Sequence, residues 1–194
     1  LAAIDDDATL PAALGRLLLD LERPDAAADA FERAVALAPT DPGLLRELGG
    51  AAAKAGRWER SYDALDQSVG FDPRDPVAHH ALGEACRALG KLGAAVQAFA
   101  KATELAPERG ESFFALGRAR RAMERDAAAE DALARAAACL PERADVQAAH
   151  GEVLHALARF GAGEQAFARA LAAEPNDTAL YLGKARAELG QQKH

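Results

Sequence analysis

An all-α fold, built as an α-solenoid of stacked antiparallel helix pairs, is what this sequence predicts, and three observations carry the expectation. The first is a period. Pro39, Pro73, Pro107, Pro141 and Pro175 are evenly spaced along the chain. Gly15, Gly49, Gly83, Gly117 and Gly151 keep that step, as do a small residue (Ala27, Ser61, Ala95, Ala129, Gly163) and a large apolar one (Phe31, Leu65, Phe99, Leu133, Phe167). A second small residue follows at Ala34, Ser68, Ala102, Ala136 and Ala170. Self-similarity at a fixed step of this length marks an array in which each unit covers its neighbour. The second observation is composition: the apolar half is rich in Ala and poor in aromatics, which suits close helix contact rather than a thick core, and Ala, Leu, Glu and Arg are strong helix formers. The third is apolar spacing of three and four on both sides of a short turn, the mark of an antiparallel helix pair.

Taken in order, residues 1–7 read as the end of an earlier repeat, with Asp5 where later units have Pro. The chain opens on Leu1 rather than Met, so an excised segment of a longer protein is expected, with any targeting signal upstream and His194 belonging to a tag. Five units follow: 8–41, 42–75, 76–109, 110–143 and 144–177. In the third, Pro76 opens the first helix, which runs through Leu82, Gly83 and Cys86 to about Leu89. Gly90 stops it, Lys91-Leu92-Gly93 turns, and the second helix carries Val96, Phe99, Ala102 and Leu105 from Ala94 until Pro107 ends it. Gly inside a helix costs about 1 kcal/mol against Ala, so five in register imply a packing return. Residues 178–194 read as an irregular sixth first-helix or cap. There Leu182-Gly183 comes two residues early, predicting a shifted helix or a shortened loop.

These residues resemble the tetratricopeptide repeat (TPR) pattern: an aromatic, Leu-Gly, an aromatic or apolar residue, then Ala, Phe, Ala and Pro over a unit of about 34 residues. The resemblance covers residues 8–177 and implies a right-handed superhelix whose first helices line a concave surface. The pattern lapses at its first aromatic, occupied by Pro11, Leu45, His79, Phe113 and Gln147, and at His150 in place of the Leu of Leu-Gly. Those lapses predict looser first helices, the fifth above all. An excess of Arg over Lys with abundant Ala points to a GC-rich bacterial source.

Several function classes are disfavoured. A net charge of −7 opposes nonspecific nucleic-acid binding. No apolar run reaches the roughly 18 residues of a membrane span, and a cytoplasmic location is expected. Cys86 and Cys139 read as small buried residues rather than a disulfide. There is no phosphate loop and no zinc spacing, so neither metal nor cofactor is expected. His150 and His155, five apart, diverge by about 140° on a helix, and the adjacent His79 and His80 diverge too. With no apolar pocket evident to raise a carboxyl pKa, no catalytic residue is assigned.

What remains is a groove. The stripe left free on the first helices runs Ala12, Arg16, Leu19; Arg46, Gly50, Ala53; His80, Glu84, Arg87; Phe114, Arg118, Arg121; and Ala148, Glu152, His155, each set spaced i, i+4, i+7. The partner-binding candidates are Arg46, His80, Glu84, Arg87, Phe114, Arg118, Arg121, Glu152 and His155. Units 8–41 and 144–177 each carry −3, whereas 76–109 carries +1 and 110–143 is neutral. Arg suits forked pairing with carboxylates, so a protein or peptide partner with an acidic segment is expected in the middle of the groove. The chaperone-type carboxylate clamp of some TPR proteins is not matched: its positions hold Arg46, Gly50, Ala81, Glu111 and Ala115. A non-catalytic interaction scaffold is thus expected. The alternatives are a recruiting arm of an enzyme whose catalytic domain lies elsewhere, and a spacer that self-associates through its last helix.

Overall fold

The computed structural model describes residues 7–192, which form an all-α helical repeat. The expected remnant at 1–7 therefore lies outside the described residues except for Asp7, as does His194. The chain divides into two compact units, 1–105 and 106–194. The first contains α1 (Thr9–Asp20), α2 (Pro24–Leu37), α3 (Pro42–Lys54), α4 (Trp58–Phe71), α5 (Pro76–Ala88) and α6 (Leu92–Leu105). The second contains α7 (Gly110–Ala122), α8 (Asp126–Cys139), α9 (Ala144–Ala156), α10 (Phe160–Ala173) and α11 (Thr178–Gln191).

The helix starts follow the repeat step. Asp41, Asp75 and Asp177 each turn a carboxylate back to the first amides of α3, α5 and α11, satisfying donors that have no helical partner. Asp7, in the same register, accepts the Thr9 N–H at 2.9 Å. Within each pair the turn is closed by one residue in the left-handed region. Glu22, Gly56, Gly90, Glu124 and Ala158 have φ of 55°, 74°, 72°, 57° and 56°. The next amide then bonds back five residues, as from Lys91 N–H to Cys86 O at 2.8 Å. Because this one residue completes the turn, α6 begins at Leu92, ahead of the expected Ala94.

The glycine series sets how closely paired helices approach. A Cβ on Gly49 would stand 2.4 Å from Leu65, on Gly83 2.5 Å from Phe99, and on Gly117 2.5 Å from Leu133. The large residue of each second helix thus lies directly on its partner's backbone, fully buried in the cases of Phe31, Leu65, Phe99 and Leu133. In the first unit Ala27, Ala28, Phe31 and Ala34 of α2 form one apolar cluster with Ala12 of α1 and with Leu44 and Leu48 of α3.

Four expectations are corrected. Ala12 is buried in that cluster instead of lying on a free stripe. Cys86 is buried but Cys139 is exposed: it ends α8 at the position where Leu37 and Phe71 end α2 and α4, also open to solvent. The fifth first-helix, α9, is not loosely held at Gln147, whose buried amide donates to Ala137 O and Pro141 O and accepts from Arg169 Nε at 3.1 Å. Lastly, α11 is neither shifted nor entered by a shortened loop. It opens at Thr178, one full repeat step after Ala144 opens α9, because Asp177 caps it. Only its glycine has moved: Gly183 faces back onto Phe167 of α10, where a Cβ would come within 2.4 Å.

Candidate functional site in the second unit

Three helices of the second unit, α7, α9 and α11, line a groove of about 790 Å³. The repeat step places their side chains in rows. One row is Phe114, Ala148 and Leu182, and the next is Arg118, Glu152 and Arg186. The floor is kept low by Ala144, Ala148 and Ala149 on the middle helix, while Phe114 and Leu182 rise on either side. Phe167 reaches the groove from beneath because Gly183 has no side chain to cover it.

The polar groups divide into paired and unpaired. Arg121 is held by Glu152, one turn along the groove. Arg143 donates to Asp145 at 2.6 Å and to Glu111 at 2.5 Å, which raises the guanidinium and holds the Asp145 carboxyl below its ordinary range. Asp177 is turned to the start of α11. Arg118 and Arg186, by contrast, have no carboxylate partner among the described residues, and both are exposed. Arg118 lies 5.5 Å from the Phe114 ring centroid, and Arg143 lies 5.6 Å from it. That ring is therefore flanked by two cations, each drawn to its negative face. His155, also lining the groove, stacks edge-on against Phe160 with centroids 5.2 Å apart.

Of the stripe residues expected from the sequence, Phe114, Arg118, Arg121, Ala148, Glu152 and His155 line this groove. Arg46, His80, Glu84 and Arg87 belong to the first unit, where the arginines are engaged. Arg46 bonds Asp75 at 2.5 Å, and Arg87 bonds Glu84 at 2.7 Å. Burial alone would raise the Asp75 carboxyl, but the amides of Ala78 and Val77 together with Arg46 outweigh it and keep the group low. His80 packs on Phe99. Leu182 and Arg186 were missed. The signal was present, since each stands one repeat step after a stripe residue, but the displaced Gly183 hid the register of α11.

A tetratricopeptide repeat family model matches residues 12–76, and a second matches residues 76–109. No curated protein matches the chain. Several solved structures do. TTC0263, a thermophilic TPR protein of Thermus thermophilus, is 27% identical with a TM-score of 0.64, covering 94% of this chain and 99% of that one. YrrB, described as a TPR protein with an unusual peptide-binding site, is 15% identical with a TM-score of 0.80, covering 95% of each chain. MamA of Desulfovibrio magneticus RS-1 is 18% identical with a TM-score of 0.79, covering 88% and 97%. The period, the glycine seams and the family matches agree: this chain belongs to the tetratricopeptide repeat family, whose members act in protein–protein interaction.

Proposed function

We propose that the protein is a non-catalytic scaffold that takes a peptide segment of a protein partner into the groove of its second unit. A large apolar side chain of the segment sits on Ala148 between Phe114 and Leu182, and an adjacent carboxylate is received by Arg118 or Arg186. The observation that carries this reading is the combination of a low alanine floor with two exposed guanidiniums that have no carboxylate of their own. Carboxylates line the groove too, but Glu152 and Asp145 are neutralised by Arg121 and Arg143, which leaves Glu174 as the one carboxylate there without a polar partner among the described residues. The acidic preference is therefore local to the Arg118 and Arg186 row.

Selection from a displayed random-peptide library tests it, with wild type beside Ala148→Trp and Arg118→Glu/Arg186→Glu. Wild type should enrich peptides with a large apolar residue next to Asp or Glu. Ala148→Trp fills the floor and should lose them all. The double reversal should keep the apolar anchor and drop the acid, weakening acidic peptides about tenfold, since a hydrogen bond to a charged group is worth about 1.5–3 kcal/mol. Added salt should weaken the same peptides. Equal enrichment by all three proteins would sink the assignment.

A further inference from the structure

Two ion pairs tie successive first-helices together in the first unit. Arg16 of α1 bonds Glu47 of α3 at 2.9 Å, and Arg46 of α3 bonds Asp75, the cap of α5, at 2.5 Å. The adjacent side chains Arg46 and Glu47 thus reach opposite ways. The base goes forward to the start of the next helix, and the acid goes back to the helix before.

Three repeat steps on, Arg16 and Glu47 become Arg118 and Ala149, while Arg46 and Asp75 become Ala148 and Asp177. The outer member of each pair is kept, and both inner members are alanine. All four residues line the groove of the second unit. Arg118 is exposed and has no carboxylate partner among the described residues. Asp177 bonds the Ala179 amide at 2.7 Å but has no counter-cation among the described residues, where Asp75 has Arg46 besides its amides. Glu174, exposed beside it, lines the same end of the groove. Nearby charges do not make good the loss. Arg121 is taken by Glu152, and Arg143 by Asp145 and Glu111. Arg186 stands about 13 Å further along α11 than Asp177, at 1.5 Å of rise per residue.

The groove therefore holds an unanswered cation on α7 and unanswered carboxylates at the start of α11, with two alanine methyls between them. We propose that the bound segment carries a base as well as an acid, and that these take the places that the Arg46 and Glu47 side chains fill in the first unit. This rests on the groove reading above and narrows it. The acid meets Arg118, the base meets Asp177 and Glu174, and the apolar residue over Ala148 lies between them. The segment crosses α9 with its charges in a fixed order, acid towards α7 and base towards α11. A wholly acidic segment is disfavoured, because its far end would be set against two carboxylates, and like charges brought together in an interface are costly.

The peptide selection decides the point when it is read on both sides of the apolar residue. Wild type should enrich Lys or Arg on one side and Asp or Glu on the other. Glu174→Gln/Asp177→Asn keeps the helix cap, since Asn caps as well as Asp, and should lose the preference for the base while keeping the acid. One enriched peptide, made synthetically, should bind this variant about fivefold more weakly, the most that an exposed ion pair usually contributes. Replacing the base of that peptide by norleucine should weaken wild type by the same factor and the variant not at all. Ala148→Arg/Ala149→Glu rebuilds both pairs of the first unit within the chain and should bind none of the enriched peptides. Enrichment of an apolar residue and an acid with no base at a fixed distance overturns this inference and leaves the groove reading standing. A base preference that survives Glu174→Gln/Asp177→Asn overturns it as well. A wild type that enriches no peptide overturns both.

Discussion

His150 stands where Leu48, Leu82 and Leu116 stand in other units, 9% exposed, with neither ring nitrogen hydrogen-bonded. Glu130 Oε1 is 3.6 Å from Nε2, and Glu130 is itself paired with Arg159 at 3.1 Å. Burial pushes the ring below its ordinary pKa of 6.5, more strongly than Glu130 pulls it up. The unfolded chain therefore binds a proton that the folded chain refuses, so stability is full above 6.5 and declines as pH falls towards the folded value. His150→Leu should raise stability by about 1–3 kcal/mol, the cost of an unsatisfied buried polar group, and flatten the loss on acidification. Urea denaturation on both sides of pH 6.5 measures both effects. An unchanged slope would assign the acid sensitivity to carboxylates. A second residue, Ala158, holds φ 56° in its turn, where two other units use glycine. Ala158→Gly should stabilise by about 1 kcal/mol, because a left-handed backbone costs an L-residue about 1–2 kcal/mol and the added unfolded-state entropy returns part of that.

Neighbouring glycines of α3 show how an element is tuned position by position. A methyl on Gly49 would stand 2.4 Å from Leu65, whereas one on Gly50 meets nothing within 4 Å. Gly50→Ala should stabilise by about 0.5–1 kcal/mol through helix propensity. Gly49→Ala should destabilise by about 1–2 kcal/mol, overpacking outweighing the same gain. Thermal melts of the two single variants should shift in opposite directions, and a shared sign would refute the seam. This part of the fold was legible, because a glycine that recurs inside a helix states its reason in its spacing. Other parts were not. The left-handed turns at Glu22, Glu124 and Ala158 carry no glycine to announce them. The pairing of Arg121 with Glu152 depends on how far apart two helices lie, which periodicity along one helix does not encode. Within α11, Leu182-Gly183 imitated the family pattern two residues out of place. That concealed the true register, and with it Leu182 and Arg186.

For the molecule as a whole, acid should act in two stages. His150 makes the second unit sensitive just below pH 6.5. The first unit is held by carboxylates such as Asp75, lowered below 3.8, whose contribution is present above that value and lost only as pH falls further. In a repeat array stability is a sum of local terms with nearest-neighbour coupling, so separate stages are possible. Trp58, the one tryptophan, begins α4 in the first unit. On titration to acid, helicity by circular dichroism should fall before Trp58 fluorescence changes. Coincident transitions would show one cooperative block instead. In His150→Leu the early loss of helicity should disappear.

The Phe167 ring is gripped from two sides, by Gly151 of α9 at 2.9 Å and by Gly183 of α11 at 2.4 Å, measured to an added Cβ. To a lineage carrying this gene, those three positions are a single locus. A methyl at either glycine displaces the same ring, so the second methyl finds the damage partly done, and a smaller residue at 167 excuses both. The history of this groove should thus be contingent: which substitution arrives first decides which others survive. A double-mutant cycle on Gly151→Ala and Gly183→Ala should show less than additive loss, by about 0.5–3 kcal/mol.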